Sequence, residues 1–188
     1  MDIFEKIMDK RRDITDKLFK LPTDLLFKLK VSPNMLTFFS AFGLIISSYF
    51  LYQREFFYAL LVLASSFIID MFDGSLARRY KYNKYGFMLD LLCDNFFGSL
   101  LIASLYAIKF ISFELLLLTL SSTFMNVILY IYYKLKEKEN PHYFMAGISQ
   151  NIFVGLIFPQ FFNFVIIYLI VVHTTQTILN IKKFAFKK

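Results

Sequence analysis

The stretch Ile69-Asp70-Met71-Phe72-Asp73-Gly74-Ser75-Leu76-Ala77-Arg78, followed by Gly86-Phe87-Met88-Leu89-Asp90-Leu91-Leu92-Cys93-Asp94, sets four carboxylates inside apolar sequence. Each stretch belongs to a run long enough to cross a bilayer, which takes about 20 residues for about 30 Å of hydrocarbon. Acids in such a place are costly unless something compensates their charge. These two stretches therefore decide both the fold and where its chemistry sits.

Working outward, apolar runs of similar length recur along the chain. Of the 188 residues 57% are hydrophobic, and 20% are aromatic. A soluble domain of this size could not hide so much apolar surface from water. The pattern predicts an all-α integral membrane protein with six transmembrane helices, at 35–53, 57–78, 86–108, 112–133, 144–160 and 161–181. Only Pro159 and Gln160 divide the last two.

Charge placement bears on that topology independently. If successive spans alternate in direction, segments 1–34, 79–85, 134–143 and 182–188 share one side, with Arg78 at a helix end. All of the 21 Lys and Arg residues fall there except Arg54 and Lys109. The positive-inside rule then predicts a multi-pass protein of the cell membrane, with both termini and the carboxylates on the cytoplasmic side. The net charge of +7 does not point to nucleic acid, because the basic residues mark membrane edges rather than one patch. The polar start predicts no cleavable signal peptide. A single cysteine, Cys93, excludes an internal disulfide and a Cys-based zinc site, and reads as a small packing residue.

Ahead of the first span, Ile3, Phe4, Ile7, Met8, Ile14, Leu18 and Phe19 recur at roughly helical spacing among Lys, Arg and Asp. Two readings stay open: an interfacial amphipathic helix lying in the membrane surface, or a helix packed on the protein's own cytoplasmic face. The chain divides into an N-terminal cytoplasmic or interfacial helix, 1–31, and a membrane domain, 32–188. Ser32-Pro33-Asn34 signals a helix start, with Ser32 or Asn34 as the cap.

Asp70 and Asp73 are three residues apart, Asp90 and Asp94 four, so each pair occupies one helix face about a turn apart. A short loop joins the two helices, which predicts antiparallel neighbours with all four acids facing one shallow cavity. A cation is the natural compensation, and an all-oxygen ligand set favours hard ions such as Mg²⁺, Mn²⁺ or Ca²⁺. Four carboxylates have room for two ions, an arrangement that clamps phosphoryl oxygens. The bland alternative has the acids capping helices or pairing with Arg78, Arg79, Lys81 and Lys84. Gly74 and Ala77 leave the backbone open to close approach, as helix packing alone would also require. Arg78 presents a planar fork suited to phosphate.

Asp70-x₂-Asp73-Gly74-x₂-Ala77-Arg78-x₇-Gly86-x₃-Asp90-x₃-Asp94 places eight fixed residues in 25 positions and closely resembles the signature of the CDP-alcohol phosphotransferases. The resemblance is good over about residues 33–95. The gap from Arg78 to Gly86 is one residue shorter than is usual in that family, and Lys84 stands where a threonine is common. The resemblance implies a six-helix, usually homodimeric membrane fold that moves a substituted phosphoryl group from a CDP-linked donor to an alcohol, releasing CMP. It implies that Asp70, Asp73, Asp90 and Asp94 hold Mg²⁺ or Mn²⁺, two ions in all, and that Asp94 is also the general base. It implies further that Asp70, Gly74, Ala77, Arg78 and Gly86 shape the CDP and pyrophosphate site, with Asn34 and Thr37 beside the nucleotide.

The expected activity is phospholipid synthesis, with CDP-diacylglycerol or CDP-archaeol as donor and a small polar alcohol as acceptor. The acceptor is the least defined part. Gly147-Ile148-Ser149-Gln150-Asn151 lies where family members using inositol phosphate carry a Gly-Ile stretch with acidic and arginine residues, but no arginine is present. Lys134, Lys136, Lys138, His142 or the 79–84 loop would serve a phosphorylated acceptor. Ser149, Gln150 and Asn151 would suit an uncharged polyol, or simply bond between helices. The acceptor candidates are thus Lys134, Gln150 and Asn151. Two rivals remain: transfer from a soluble CDP-alcohol to a lipid acceptor, and a divalent-cation or proton-coupled transporter. Against the transporter, no ionisable residue stands out as continuing the path beyond the carboxylates.

Overall fold

The computed structural model describes residues 10, 13–80, 84–136 and 147–185. Among these residues every regular element is helical. Residues 13–18 are helical and lead into α1 (Lys20–Lys28), then α2 (Pro33–Tyr52), α3 (Phe56–Arg79), α4 (Lys84–Ala107) and α5 (Phe113–Lys136). After the undescribed 137–146 come α6 (Ile148–Ile157), a 3₁₀ turn at Pro159–Phe161, and α7 (Phe162–Ala185).

Five helices are long and apolar enough to span a membrane: α2, α3, the 85–107 part of α4, α5, and the segment Pro159–Lys182 that includes most of α7. The chain is a multi-pass membrane protein. The expected fifth span differs: α6 has ten residues, about 15 Å of helix, and the start of the 144–160 run lies outside the described residues. The outer surface suits lipid, with Phe38, Phe39, Phe42, Tyr49, Phe57, Phe164 and Tyr168 all more than half exposed or close to it.

The chain starts α2 with Ser32 as N-cap and Pro33 in the first turn, where a missing N–H costs nothing. Three helices end without the usual glycine. Lys30, Arg54 and Lys109 take left-handed backbone at φ 55°, 64° and 63°, and the next N–H in each case bonds back to Leu26, Phe50 or Leu105. These turns are short and tight.

Helix α2 packs on α3 and α4, α5 packs on α7, and α6 lies against α3, α4 and α7. The α2–α3 crossing is close because small residues line it: a Cβ on Gly43 would stand 3.2 Å from Ser66 Cβ, and Ser47 Oγ donates to Ala59 O at 2.9 Å. An apolar core of Leu44, Leu51, Leu63, Leu101, Leu105 and Ile166 fills the half away from the basic end. The carboxylate stretches occupy the other half.

The N-terminal helical segment rests on the basic end of α3. Phe19 meets Phe72 edge-on at 5.0 Å, and Phe27 meets Tyr80 at 4.8 Å. The packed reading of this segment therefore holds for residues 13–28. Leu18, Leu21 and Leu25 nevertheless point outward, Leu21 being 82% exposed. Ile3, Phe4, Ile7 and Met8 lie outside the described residues.

Candidate active site

Helices α3 and α4 enter the site from the same end. Asp73 stands six residues from the end of α3, and Asp94 ten residues into α4, depths of about 9 and 15 Å. Carboxylate oxygens of Asp70, Asp90 and Asp94 lie within 4.8 Å of one another. Opposite oxygens on one Mg²⁺ or Ca²⁺ stand about 4.2–5 Å apart, so the trio fits around a hard cation. Asp90 adds a second sign of fit, since its buried Oδ1 has no hydrogen-bond partner among the described residues. An orphaned buried carboxylate oxygen is rare unless an ion serves it.

Asp73 is placed differently from the other three. Its Oδ2 accepts from Thr37 Oγ1 at 2.8 Å, and it lies within electrostatic reach of Asp90 and Asp70. The expected nucleotide-side residues gather nearby. Thr37 joins α2 to the site directly, and Asn34 one turn earlier sits so close to α4 that a Cβ on Gly86 would be 3.3 Å from its Oδ1. Gly86 thus permits an approach that a larger residue would crowd.

The bland reading of the acids as partners of Arg78 and Arg79 is not what the fold does with these arginines. Arg78 forks onto Asp16, with Nη2 2.5 Å from Oδ1 and Nε 3.0 Å from Oδ2; Arg79 pairs with Asp24. The Arg78 guanidinium holds the Asp16 carboxyl below its ordinary range, against a smaller opposing effect of burial. Lys81 lies outside the described residues, as does the side chain of Lys84. Asp16 and Asp24 were not singled out by the sequence. Six acids scattered among the Lys and Arg of residues 1–31 were the available signal, and nothing local linked these two to a helix about 60 residues on.

The acceptor candidates are less coherently placed. Asn151 Nδ2 donates to Gly147 O at 2.9 Å, closing its own helix's first turn, and the Gln150 side chain lies against Gly147. Lys134 is in the last turn of α5. Lys138 and His142 lie outside the described residues. The start of α6 does pack one turn beyond Asp94: a Cβ on Gly98 would meet Ile148 Cβ at 3.2 Å and Ser149 N at 3.7 Å.

A buried ionisable side chain stands near the middle of α7: His173 is 3% exposed, with Nδ1 2.8 Å from Thr123 Oγ1 on α5. Thr119, Thr123, Asn126 and Tyr130 on α5, and His173, Gln176 and Asn180 on α7, are all buried. The Thr123–His173 contact joins the two helices in a buried polar seam, while Tyr130 packs on Phe87 of α4.

A family model for CDP-alcohol phosphatidyltransferase matches residues 30–186. An uncharacterized protein of Aquifex aeolicus (strain VF5) is 38% identical over 74 residues, a match spanning 39% of this chain and 38% of that protein. The fold is similar to the crystal structure of Mycobacterium tuberculosis phosphatidylinositol phosphate synthase with CDP-DAG bound, at 13% identity and TM-score 0.69, covering 88% of this chain and 92% of that one. With the motif residues of α3 and α4 gathered at one end of such a fold and the family match spanning most of its length, the chain belongs to the CDP-alcohol phosphatidyltransferase family.

Proposed function

We propose that the protein is a phospholipid synthase that transfers a phosphatidyl-type group, diacylglycerol- or archaeol-phosphate, from a CDP-linked lipid to a small polar alcohol. The observation that carries this is the convergence of Asp70, Asp90 and Asp94 carboxylates beside Asp73 and Gly74, about two to three turns inside an apolar outer surface. A lipid tail stays in the bilayer there while its headgroup reaches the acids.

Asp70, Asp73, Asp90 and Asp94 would hold two divalent ions, Mg²⁺ or Mn²⁺. Such ions, when bound, neutralise the pyrophosphate and stabilise the leaving CMP. Gly74, Ala77, Arg78 and Gly86 shape the CDP site, with Asn34 and Thr37 along its α2 side. Asp94 takes the proton from the acceptor hydroxyl. The hydroxyl oxygen forms the new bond to the lipid phosphate, and the bond from that phosphorus to the bridging oxygen breaks, so CMP leaves with the bridging oxygen. Lys134, Gln150 and Asn151 are candidates for holding the acceptor.

The wider reading follows from charge and family. The basic end, with both termini, faces the cytoplasm across the cell membrane. Residues 1–31 form a cytoplasmic or interfacial element, with Leu18, Leu21 and Leu25 available to dip among lipids. Residues 32–188 form the catalytic membrane domain, and the protein works as a homodimer.

The test is CMP release by purified protein given CDP-diacylglycerol or CDP-archaeol, Mg²⁺ or Mn²⁺, and a panel of alcohols. Release that needs no divalent ion, or that survives Asp94→Asn, sinks the mechanism. Release only with a soluble CDP-alcohol and a lipid acceptor reverses the substrate roles. Buried His173 and the acids inside apolar spans are the observations favouring ion or proton transport. Cation or proton flux into proteoliposomes without any CMP release would establish that reading instead.

A further inference from the structure

The end of α3 carries Asp73, Gly74, Ala77 and Arg78 in its last turns, and residues 13–28 cover one side of it. Asp16 is the central residue of that cover. Its Oδ1 accepts from Arg78 Nη2 at 2.5 Å, and Arg78 Nε stands 3.2 Å from Oδ1 and 3.0 Å from Oδ2. Ser75 Oγ also donates to Oδ1, at 2.8 Å, and the fully buried Thr23 donates to Ser75 Oγ at 3.4 Å. Around this network, the Asp24–Arg79 pair and the Phe19–Phe72 and Phe27–Tyr80 ring contacts fasten the segment on both sides. Asp16 thus meets Arg78 from a fixed support.

The consequence lies in which edge of the guanidinium is used. Asp16 takes the Nε–Nη2 edge. The remaining nitrogen, Nη1, is turned back along α3 to 3.6 Å from where a Cβ on Gly74 would stand. Gly74 has no side chain to fill that space, and Asp73 adjoins it. An arginine left to itself keeps rotamer freedom that a clamped one has already given up before ligand arrives. A carboxylate acting as a competitor for phosphate would sit on the Gly74 side of the fork, and Asp16 sits on the other edge.

We infer that Asp16 is a positioning residue that holds the Arg78 fork so that Nη1 faces the phosphates of a CDP-linked donor above Gly74. This rests on the transferase reading given above. Asp16 touches no substrate atom and acts through Arg78, backed by Ser75. The N-terminal segment is then a working part of the nucleotide site.

Steady-state CMP release and equilibrium binding of CDP with Mg²⁺ test it together, on full-length protein in detergent. Asp16→Asn should raise KM for the CDP-lipid about tenfold, within the usual range of coupling between contacting groups, and weaken CDP binding alike. KM for the acceptor alcohol should stay within twofold. Asp16→Glu should recover most of the loss, and in an Arg78→Ala background Asp16→Asn should cost nothing further. If Asp16→Asn does not fold, Ser75→Ala carries the same comparison with a smaller rise expected. Unchanged donor KM and CDP binding, a lower KM, or a full tenfold cost persisting without Arg78 would each overturn the inference. Wild-type protein that neither binds CDP nor releases CMP would instead overturn the transferase reading itself.

Discussion

The hydroxyl of Thr37 on α2 donates to Oδ2 of Asp73 on α3 at 2.8 Å, and both residues are buried. A helix that contributes no acid to the motif thereby fixes one motif carboxylate. Thr37→Val should leave Asp73 short of a donor, costing about 1–3 kcal/mol of stability and lowering kcat/KM for CMP release about tenfold or more. Thr37→Ser, which keeps the hydroxyl, should recover most of both. Thermal melting in detergent and steady-state rates check the pair.

Removing single acids should separate metal binding from proton transfer. Asp70→Asn and Asp90→Asn each delete an oxygen ligand and should raise the Mn²⁺ concentration for half-maximal CMP release at least tenfold, with corresponding loss of direct Mn²⁺ binding by electron paramagnetic resonance. Asp94→Asn should lower kcat by about 10²–10⁴, a loss that saturating Mn²⁺ does not restore. Recovery of Asp94→Asn by added metal would remove the case for Asp94 as base.

The Asp16–Arg78 pair also has a pH signature. Folding depresses the Asp16 carboxyl from its unfolded value of 3.8, so its contribution is fully present above about pH 4 and is lost as pH falls through the lower, folded value. Wild type should therefore melt above Asp16→Asn by a constant margin from pH 5 to 7, and the margin should shrink below pH 4. A margin independent of pH down to 3 would mean the two residues are not coupled through charge.

The α2–α3 crossing should tolerate little extra volume. A Cβ on Gly43 would reach Ser66 Cβ at 3.2 Å, while Ser66 Oγ is held by Val62 O at 2.9 Å. Gly43→Ala should cost about 1–3 kcal/mol through overpacking and lower the melting temperature. Ser66→Gly in the same chain should return part of it. No change in melting on Gly43→Ala would show that the helices separate freely.

The sequence was informative where chemistry and period coincide. Acids spaced three and four apart in apolar runs placed α3 and α4 and their shared face, and the structure brings three of the four acids together. Helix ends were harder to read, because Lys30, Arg54 and Lys109 take the turn that a glycine would have signalled. The fifth span, read as 144–160, was already the shortest, and the described helix there is only Ile148–Ile157. Asp16 and Asp24 were invisible as partners, since acids scattered among Lys and Arg look like any solvated charge. His173 was passed over because the polar run His173-Thr174-Thr175-Gln176-Thr177 sits inside a longer apolar span and averages into it. Contacts between residues far apart in the chain leave no local trace.

The buried seam between α5 and α7 has a consequence for how the protein is made. Synthesis delivers α5 with buried Thr123 and Asn126 along one side well before His173 exists to meet Thr123. A helix with that stripe facing lipid lacks the partners its polar atoms need. The two helices are therefore best lodged as a pair, with α5 kept beside the insertion machinery until α7 emerges. A chain cut before Phe162 would leave α5 with its polar side exposed and be a substrate for membrane quality control.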